Sequence, residues 1–416
     1  MMTAAVTPRA NWFDPLVEVE KLRDHLASHD KPIAFLFGAG ASAGVQGSDA
    51  QPLVPAVSEL TRRCESAIKA LADPFPKAWR AIVQGLPADH RTIEDILSAV
   101  RTMRTVVRGS DKLAGLDADQ LGVFEDELQK TISSEARPAE GRFPNELPHA
   151  ALGRWLRRIE RSLPVEIFTT NYDTLIERAL ESEWVPVFDG FVGAREPFFS
   201  ATSLARDAMA PGRRWTRLWK IHGSVTWTST GNPNDARVLR GSESATGELI
   251  LPSLLKYDES RKQPYVAMMD RFGRVLTERE DAVLVTCGYS FGDQHINEVI
   301  FESLEANPRL HVFALCYGDP PASSELVRAA KKHHNILVFG QSCAIVGGRE
   351  GKWCLSDPAL GTARLDGLFK PDASSPGGAN AASTGASSGG AVTGKLALGD
   401  INALCRLFDR IAGADA

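Results

Sequence analysis

The chain has 416 residues, 43% of them apolar and 24% charged, with a net charge of −5. That length and composition suit a folded chain of one large domain with insertions, or of two domains. The slightly negative balance gives no reason to expect direct nucleic-acid or anionic-membrane binding, and the most apolar stretch, "PIAFLFGAGASAG", is too short and too Gly-rich to span a bilayer.

In chain order, Asn11–Ser28 reads as a helix with Leu16, Val19, Leu22 and Leu26 on one side, so 1–30 is assigned as an N-terminal helical segment. Ile33–Phe37 is a continuous apolar run that stops at Gly38-Ala39-Gly40. Similar runs follow at Val165–Phe168, Leu218–Ile221, Val283–Gly288, Val312–Cys316 and Ile336–Phe339, with helical patterns between most of them. Short apolar runs bounded by turn residues predict strands of a parallel sheet buried on both faces. The expected fold is therefore α/β, a Rossmann-like parallel sheet with helices on both faces, over residues 31–345.

A long helical insertion, about 48–148, interrupts that pattern. In "RTIEDILSAVRTMRTVV", Ile93, Ile96, Leu97, Val100 and Met103 share one face, with Arg101, Arg104 and Arg108 nearer the other. It is expected to pack as a helical subdomain over the mouth of the sheet. A connecting segment is assigned to 346–370. Residues 371–394, rich in Gly, Ala and Ser, read as a flexible linker covering roughly 25–30 Å. Within 395–416 the stripe Ile401, Leu404, Leu407, Phe408 and Ile411 predicts a C-terminal helix, docked on the chain's own core or on a partner.

Six cysteines, Cys64, Cys287, Cys316, Cys343, Cys354 and Cys405, include no CxxC pair. No metal is expected, and with neither a disulfide framework nor a signal peptide the cytoplasm is the expected compartment.

Four strand ends carry candidate chemistry. Gly38-Ala39-Gly40, followed by Ser42, turns a strand into a helix start with exposed backbone N–H groups, which suits a pyrophosphate. The acidic residue that ordinarily accompanies that fingerprint is missing, since Glu59 lies in a helical pattern. A tight turn is the plainer reading. Thr169-Thr170-Asn171-Tyr172-Asp173 ends the next run. Thr170 or Asn171 suits a cap for a helix from about Tyr172, but a cap leaves the other polar residues without a role. His222, before Gly223-Ser224, ends a third run, where a side chain faces the ligand crevice of such sheets and a near-neutral imidazole suits proton transfer. A structural His at a turn is the alternative. At Gly288-Tyr289-Ser290, Gly288 permits close backbone approach and Ser290 offers a hydroxyl to phosphate or ribose. Asp293 and His295 beyond it read equally as helix start or site. One shared site explains four such ends better than four separate turns.

Taken together, Gly38–Ser42, Thr169–Asp173, His222–Ser224 and Gly288–Ser290 resemble the sirtuin (silent information regulator) family, as does "PHAALGRWLRRI" before the Asn motif. The chain departs from classical protein deacylases. "GVQGSDAQPLVP" stands where those have Pro-Asp-Phe-Arg, and no four-cysteine zinc ribbon follows the His. It looks more like bacterial sirtuin-like effectors of antiphage defence, which implies NAD+ hydrolysis to ADP-ribose and nicotinamide. The resemblance implies NAD+ as substrate and Asn171 and His222 as catalytic residues. Gly38, Ala39, Gly40, Ser42, Thr170, Asp173, Gly288 and Ser290 would contact the dinucleotide. It also implies homo-oligomers and a HerA-family hexameric ATPase or Argonaute-like partner. A protein deacylase, an NAD+ or ADP-ribose sensor without turnover, and a nucleic-acid module using Arg154, Arg157, Arg158 and Arg161 remain the rival readings.

Overall fold

The computed structural model describes residues 11–88, 91–230, 237–242, 263–372 and 392–413. The chain divides into two compact units, Met1–Leu36 with Pro148–Val165 and Gly273–Ala416, and Phe37–Leu147 with Glu166–Phe272. All six apolar runs form strands.

In the first unit the strands lie in the order Phe369–Pro371, Val392–Leu396, Arg349–Leu355, Cys343–Val346, Ile336–Phe339, His311–Leu315, Val283–Cys287 and Ile33–Phe37. Val283–Cys287, His311–Leu315 and Ile336–Phe339 run parallel. Helices Gln294–Ala306 and Glu325–Lys332 connect them, as a parallel crossover demands. From Cys343 onward the pairing becomes antiparallel. The sheet is thus mixed, and 346–370 holds strands and the helix Pro358–Arg364.

The chain start also differs from expectation. Asn11–Phe13 is a strand paired parallel to Gly351–Trp353, and the helix begins only at Pro15. Asp14 accepts the Leu16 N–H at 2.9 Å and Pro15 takes the first helical position, where its missing N–H costs nothing. Of the segment read as a flexible linker, 373–391 lies outside the described residues. Its ends are ordered: Pro371 and Val392–Gly394 sit in paired strands.

The C-terminal helix Ile401–Ala412 docks on the chain's own core within this unit. Phe408 packs 5.4 Å from Trp155 and 5.6 Å from Phe35, ring centre to ring centre. Arg154 donates to both oxygens of Asp409 at 2.8 and 3.1 Å, and Arg158 donates to the Ala412 carbonyl. Arg161 is buried against the carbonyls of Leu26, Ser28 and Lys31, where burial lowers its guanidinium to about 10. Arg154, Arg158 and Arg161, considered for nucleic acid, therefore serve intrachain contacts. Phe408→Ala is expected to lower stability by about 3–5 kcal/mol, measured as a reduced denaturant midpoint.

In the second unit Glu166–Thr169, Thr216–Lys220 and Val187–Phe188 run parallel. A four-stranded antiparallel sheet, Phe191–Val192, Phe198–Phe199, Arg237–Arg240 and Trp227–Thr230, accompanies them. The insertion forms helices Val57–Ala70, Phe75–Gly85, Ile93–Val106 and Ala118–Glu135. Their core, built on Ile68, Trp79, Ile96, Leu97, Phe124 and Leu128, also takes in Tyr172 and Val225. Arg101 and Arg104, read as a polar face, converge on the buried Glu125. Burial works to raise that carboxyl, but the two guanidiniums hold it below the ordinary range. Among the described residues no helix is long and apolar enough to cross a membrane.

Candidate active site

The second unit carries a cleft with an empty volume of about 580 Å3, its open mouth included. Ala39, Ser42, Thr170, Asn171, Tyr172 and Asp173 form one wall; Glu94, Ile93, Ile132 and Glu135 of the insertion form the other.

The Gly loop builds the floor. Gly38 caps the short helix Ala39–Ala43, and the Gly40 carbonyl accepts the Gly44 N–H at 3.1 Å. The Thr169 hydroxyl donates to the Phe37 carbonyl at 2.9 Å and accepts the Asn171 N–H at 3.0 Å. The Thr170 N–H reaches the same carbonyl at 3.1 Å. These bonds hold the backbone at Asn171 against the end of the Gly-loop strand.

The Asn171 side chain is then aimed by its own hydrogen bonds. Its Nδ2 donates to the Gly38 carbonyl at 3.0 Å and to the Ser42 hydroxyl at 2.8 Å. A carbonyl can only accept, so the amide nitrogen must face Gly38 and Oδ1 must face away. Asn171 is only 7% exposed, yet Oδ1 has no hydrogen-bond partner among the described residues. Buried acceptors of this kind are rare and ask for a ligand or water.

The cap reading of the motif is corrected by the geometry. Neither Thr170 nor Asn171 caps a helix. The helix starts at Leu175, and it is Asp173 Oδ1 that accepts the Leu175 N–H at 3.0 Å. The Asp173 carbonyl accepts from the buried Lys220 ammonium, which also bonds Glu177 at 2.9 Å. Burial pushes the Glu177 carboxyl above its usual range.

His222 follows the strand Thr216–Lys220 and is 1% exposed. Gly223 turns at φ +89°, a conformation that favours glycine. The Val225 N–H donates to the Tyr172 carbonyl at 3.0 Å, tying the His loop to the Asn loop. The Tyr172 ring centre lies 6.4 Å from that of His222. His222 Nδ1 lies 3.8 Å from Glu94 Oε1. Sequence reading missed Glu94. Its only signal was an acidic residue in the first turn of a helix, which is common for dipole reasons alone.

The charge of the cleft is one-sided. Glu94, Glu135 and Asp173 line it, and among the described residues no Lys or Arg does. Arg63 offsets Glu135 from outside the lining. The carboxylates favour a neutral or cationic group beside them.

Gly288 and Ser290 belong to the first unit. Gly288 has φ +66° at the end of Val283–Cys287, and Ser290 is exposed. Asp293 caps Gln294–Ala306 by accepting the N–H groups of His295 and Ile296, and His295 is 44% exposed beside Glu298. The helix-start reading of that pair stands. All six cysteines are free thiols. No cluster of three or more His, Cys, Asp or Glu able to hold a metal occurs among the described residues.

Residues 165–339 match the family described as the SIR2-like domain. The chain is sirtuin-like over that span, which holds the Asn, His and Gly-Tyr-Ser motifs while the Gly loop precedes it. Among solved structures, the crystal structure of a Sir2 homolog–NAD complex is similar over 73% of this chain and 84% of that one, at 16% identity and a TM-score of 0.31. No curated protein matches the chain.

Proposed function

We propose that the cleft takes the nicotinamide–ribose end of NAD+ and that the protein hydrolyses that bond, giving nicotinamide and ADP-ribose. The observation that carries this reading is Asn171: a rigid, buried amide whose oxygen alone is left to accept a hydrogen bond in the cleft. A ribose hydroxyl or the attacking water would supply that bond. Breaking the C–N bond sends its electron pair to the cationic pyridinium, so nicotinamide leaves neutral and needs no acid. Positive charge builds on the ribose, and an acceptor-rich wall without cations stabilises it. Water adds to the ribose carbon, and His222 takes the proton. Gly38, Gly40 and Ser42 would cradle the pyrophosphate, with Ala39 and Thr170 beside them. Gly288 and Ser290 would serve the adenosine side.

By resemblance we extend the proposal to an NAD+-depleting effector of antiphage defence in the cytoplasm. It would act as a homo-oligomer with a HerA-family ATPase or Argonaute-like partner. The deciding experiment incubates the purified full chain with NAD+, alone and with the product of a neighbouring gene, and separates products by chromatography. Equimolar nicotinamide and ADP-ribose are expected. Binding without products would replace hydrolysis by sensing; NAD+-dependent release of acetyl groups from acetyl-lysine peptide would replace it by deacylation.

A further inference from the structure

We propose that Glu94, supplied by the helical insertion, is a positioning residue for His222, which makes the insertion a component of the reaction centre. The inference rests on reading the cleft as the NAD+ hydrolysis site.

The geometry begins at the helix Ile93–Val106. Its first turn is held by a reciprocal cap: Thr92 Oγ1 accepts the Asp95 N–H at 3.3 Å, and Asp95 Oδ2 accepts the Thr92 N–H at 3.0 Å. The Ile93 N–H donates to Thr61 Oγ1 of the neighbouring helix at 3.0 Å, and Ile93 and Ile96 are buried. Glu94 sits between these anchors, so its backbone cannot wander. Its carboxylate lines the cleft that Asn171 lines, and its Oε1 stands 3.8 Å from His222 Nδ1.

That separation exceeds a direct hydrogen bond. It becomes an ion pair when the imidazole is protonated, and one bridging water or a small side-chain rotation on ligand binding would close it. A carboxylate on one ring nitrogen of an imidazole favours the proton there and leaves the other nitrogen as acceptor. With Nδ1–H toward Glu94, Nε2 is the atom left to take a proton from water or a ribose hydroxyl. The carboxylate then stabilises the imidazolium so formed.

A second link joins the same elements. Tyr172 and Val225 belong to the apolar core of the insertion, and they flank Asn171 and the His222 loop in the chain. The insertion thus touches both site loops through packing and the His through charge.

The test uses the full chain with Glu94→Gln, which keeps size and removes charge, and Glu94→Asp, which keeps charge. Histidine side-chain 15N signals are recorded without ligand at neutral pH, with those of His222 identified by their loss in His222→Gln. Glu94→Gln is expected to move the His222 ring nitrogens toward the other tautomer. It should lower kcat roughly tenfold to a hundredfold with KM little changed. Glu94→Asp should recover part of both. Ring nitrogens and kcat both unchanged in Glu94→Gln would overturn the proposal. So would a lowered unfolding temperature with wild-type ring nitrogens, which would make Glu94 structural only. If the ring nitrogens move but the parent chain never turns over NAD+, the hydrolase reading falls and the positioning role stands.

Discussion

Asn171→Ala should hydrolyse NAD+ at least ~10²-fold more slowly than the parent chain while remaining folded. The size of the effect follows from what the side chain does. Both of its N–H groups are used within the chain, on Gly38 and Ser42, so its oxygen is placed without freedom. Alanine removes that placed acceptor, and the water or ribose hydroxyl loses its orientation. The cost to stability is smaller, about 1–3 kcal/mol, because a buried carbonyl and a hydroxyl lose their donor. His222→Ala should show a similar loss of turnover through the missing base. Thermal melts beside product chromatography separate the two effects. A folded variant with full turnover, where the parent is active, would remove that residue from the mechanism.

A large stability effect is also expected away from the cleft, at Glu166. Its carboxylate is buried on the strand Glu166–Thr169 and accepts from Arg217 at 3.1 Å, from Trp219 Nε1 at 2.7 Å and twice from Arg271. Arg217 and Arg271 are themselves about 5% exposed, and both reach Asp207 as well. Burial lowers the Arg271 guanidinium, but its carboxylate partners more than reverse this and raise it. Glu166→Ala leaves two buried cations facing each other with only the half-exposed Asp207 between them. A loss of about 3–5 kcal/mol is expected, measured as a lowered urea midpoint. A shift under about 1 kcal/mol would mean that water or Asp207 replaces the carboxylate.

Why a charge sits there bears on what was legible in the sequence. Val165–Phe168 reads as an apolar strand because strand recognition weighs the run as a whole, and one Glu does not break it. Its partners lie on Arg217 and Arg271, 51 and 105 residues further on. No local pattern announces a pairing over that distance. Glu94 was hidden in the same way, since its partner His222 is 128 positions away and it is an unremarkable helix residue by itself. The helix after the Asn motif starts only at Leu175, whose N–H Asp173 accepts, while Thr169 and Thr170 bond to Phe37. The antiparallel strands after Cys343 were missed because Gly351 and Gly394 interrupt their alternation. Those glycines are there for close packing: a Cβ on Gly351 would meet the Asn11 backbone, and one on Gly394 the Lys370 carbonyl.

The sequence by itself determined the six buried strands, the helical insertion and the strand ends at Gly38, Asn171 and His222. Short apolar runs and the small or polar residues that stop them are local, and local chemistry is readable in order along the chain. Only the tertiary structure decided where the polar groups point. It turned the Asn171 amide onto Gly38 and Ser42, gave the C-terminal helix to the chain's own core through Phe408 and Asp409, and brought Glu94 to His222. Those outcomes depend on hydrogen bonds and charges closing between residues distant in sequence, and such closure exists only once the backbone has brought the partners within about 3–4 Å.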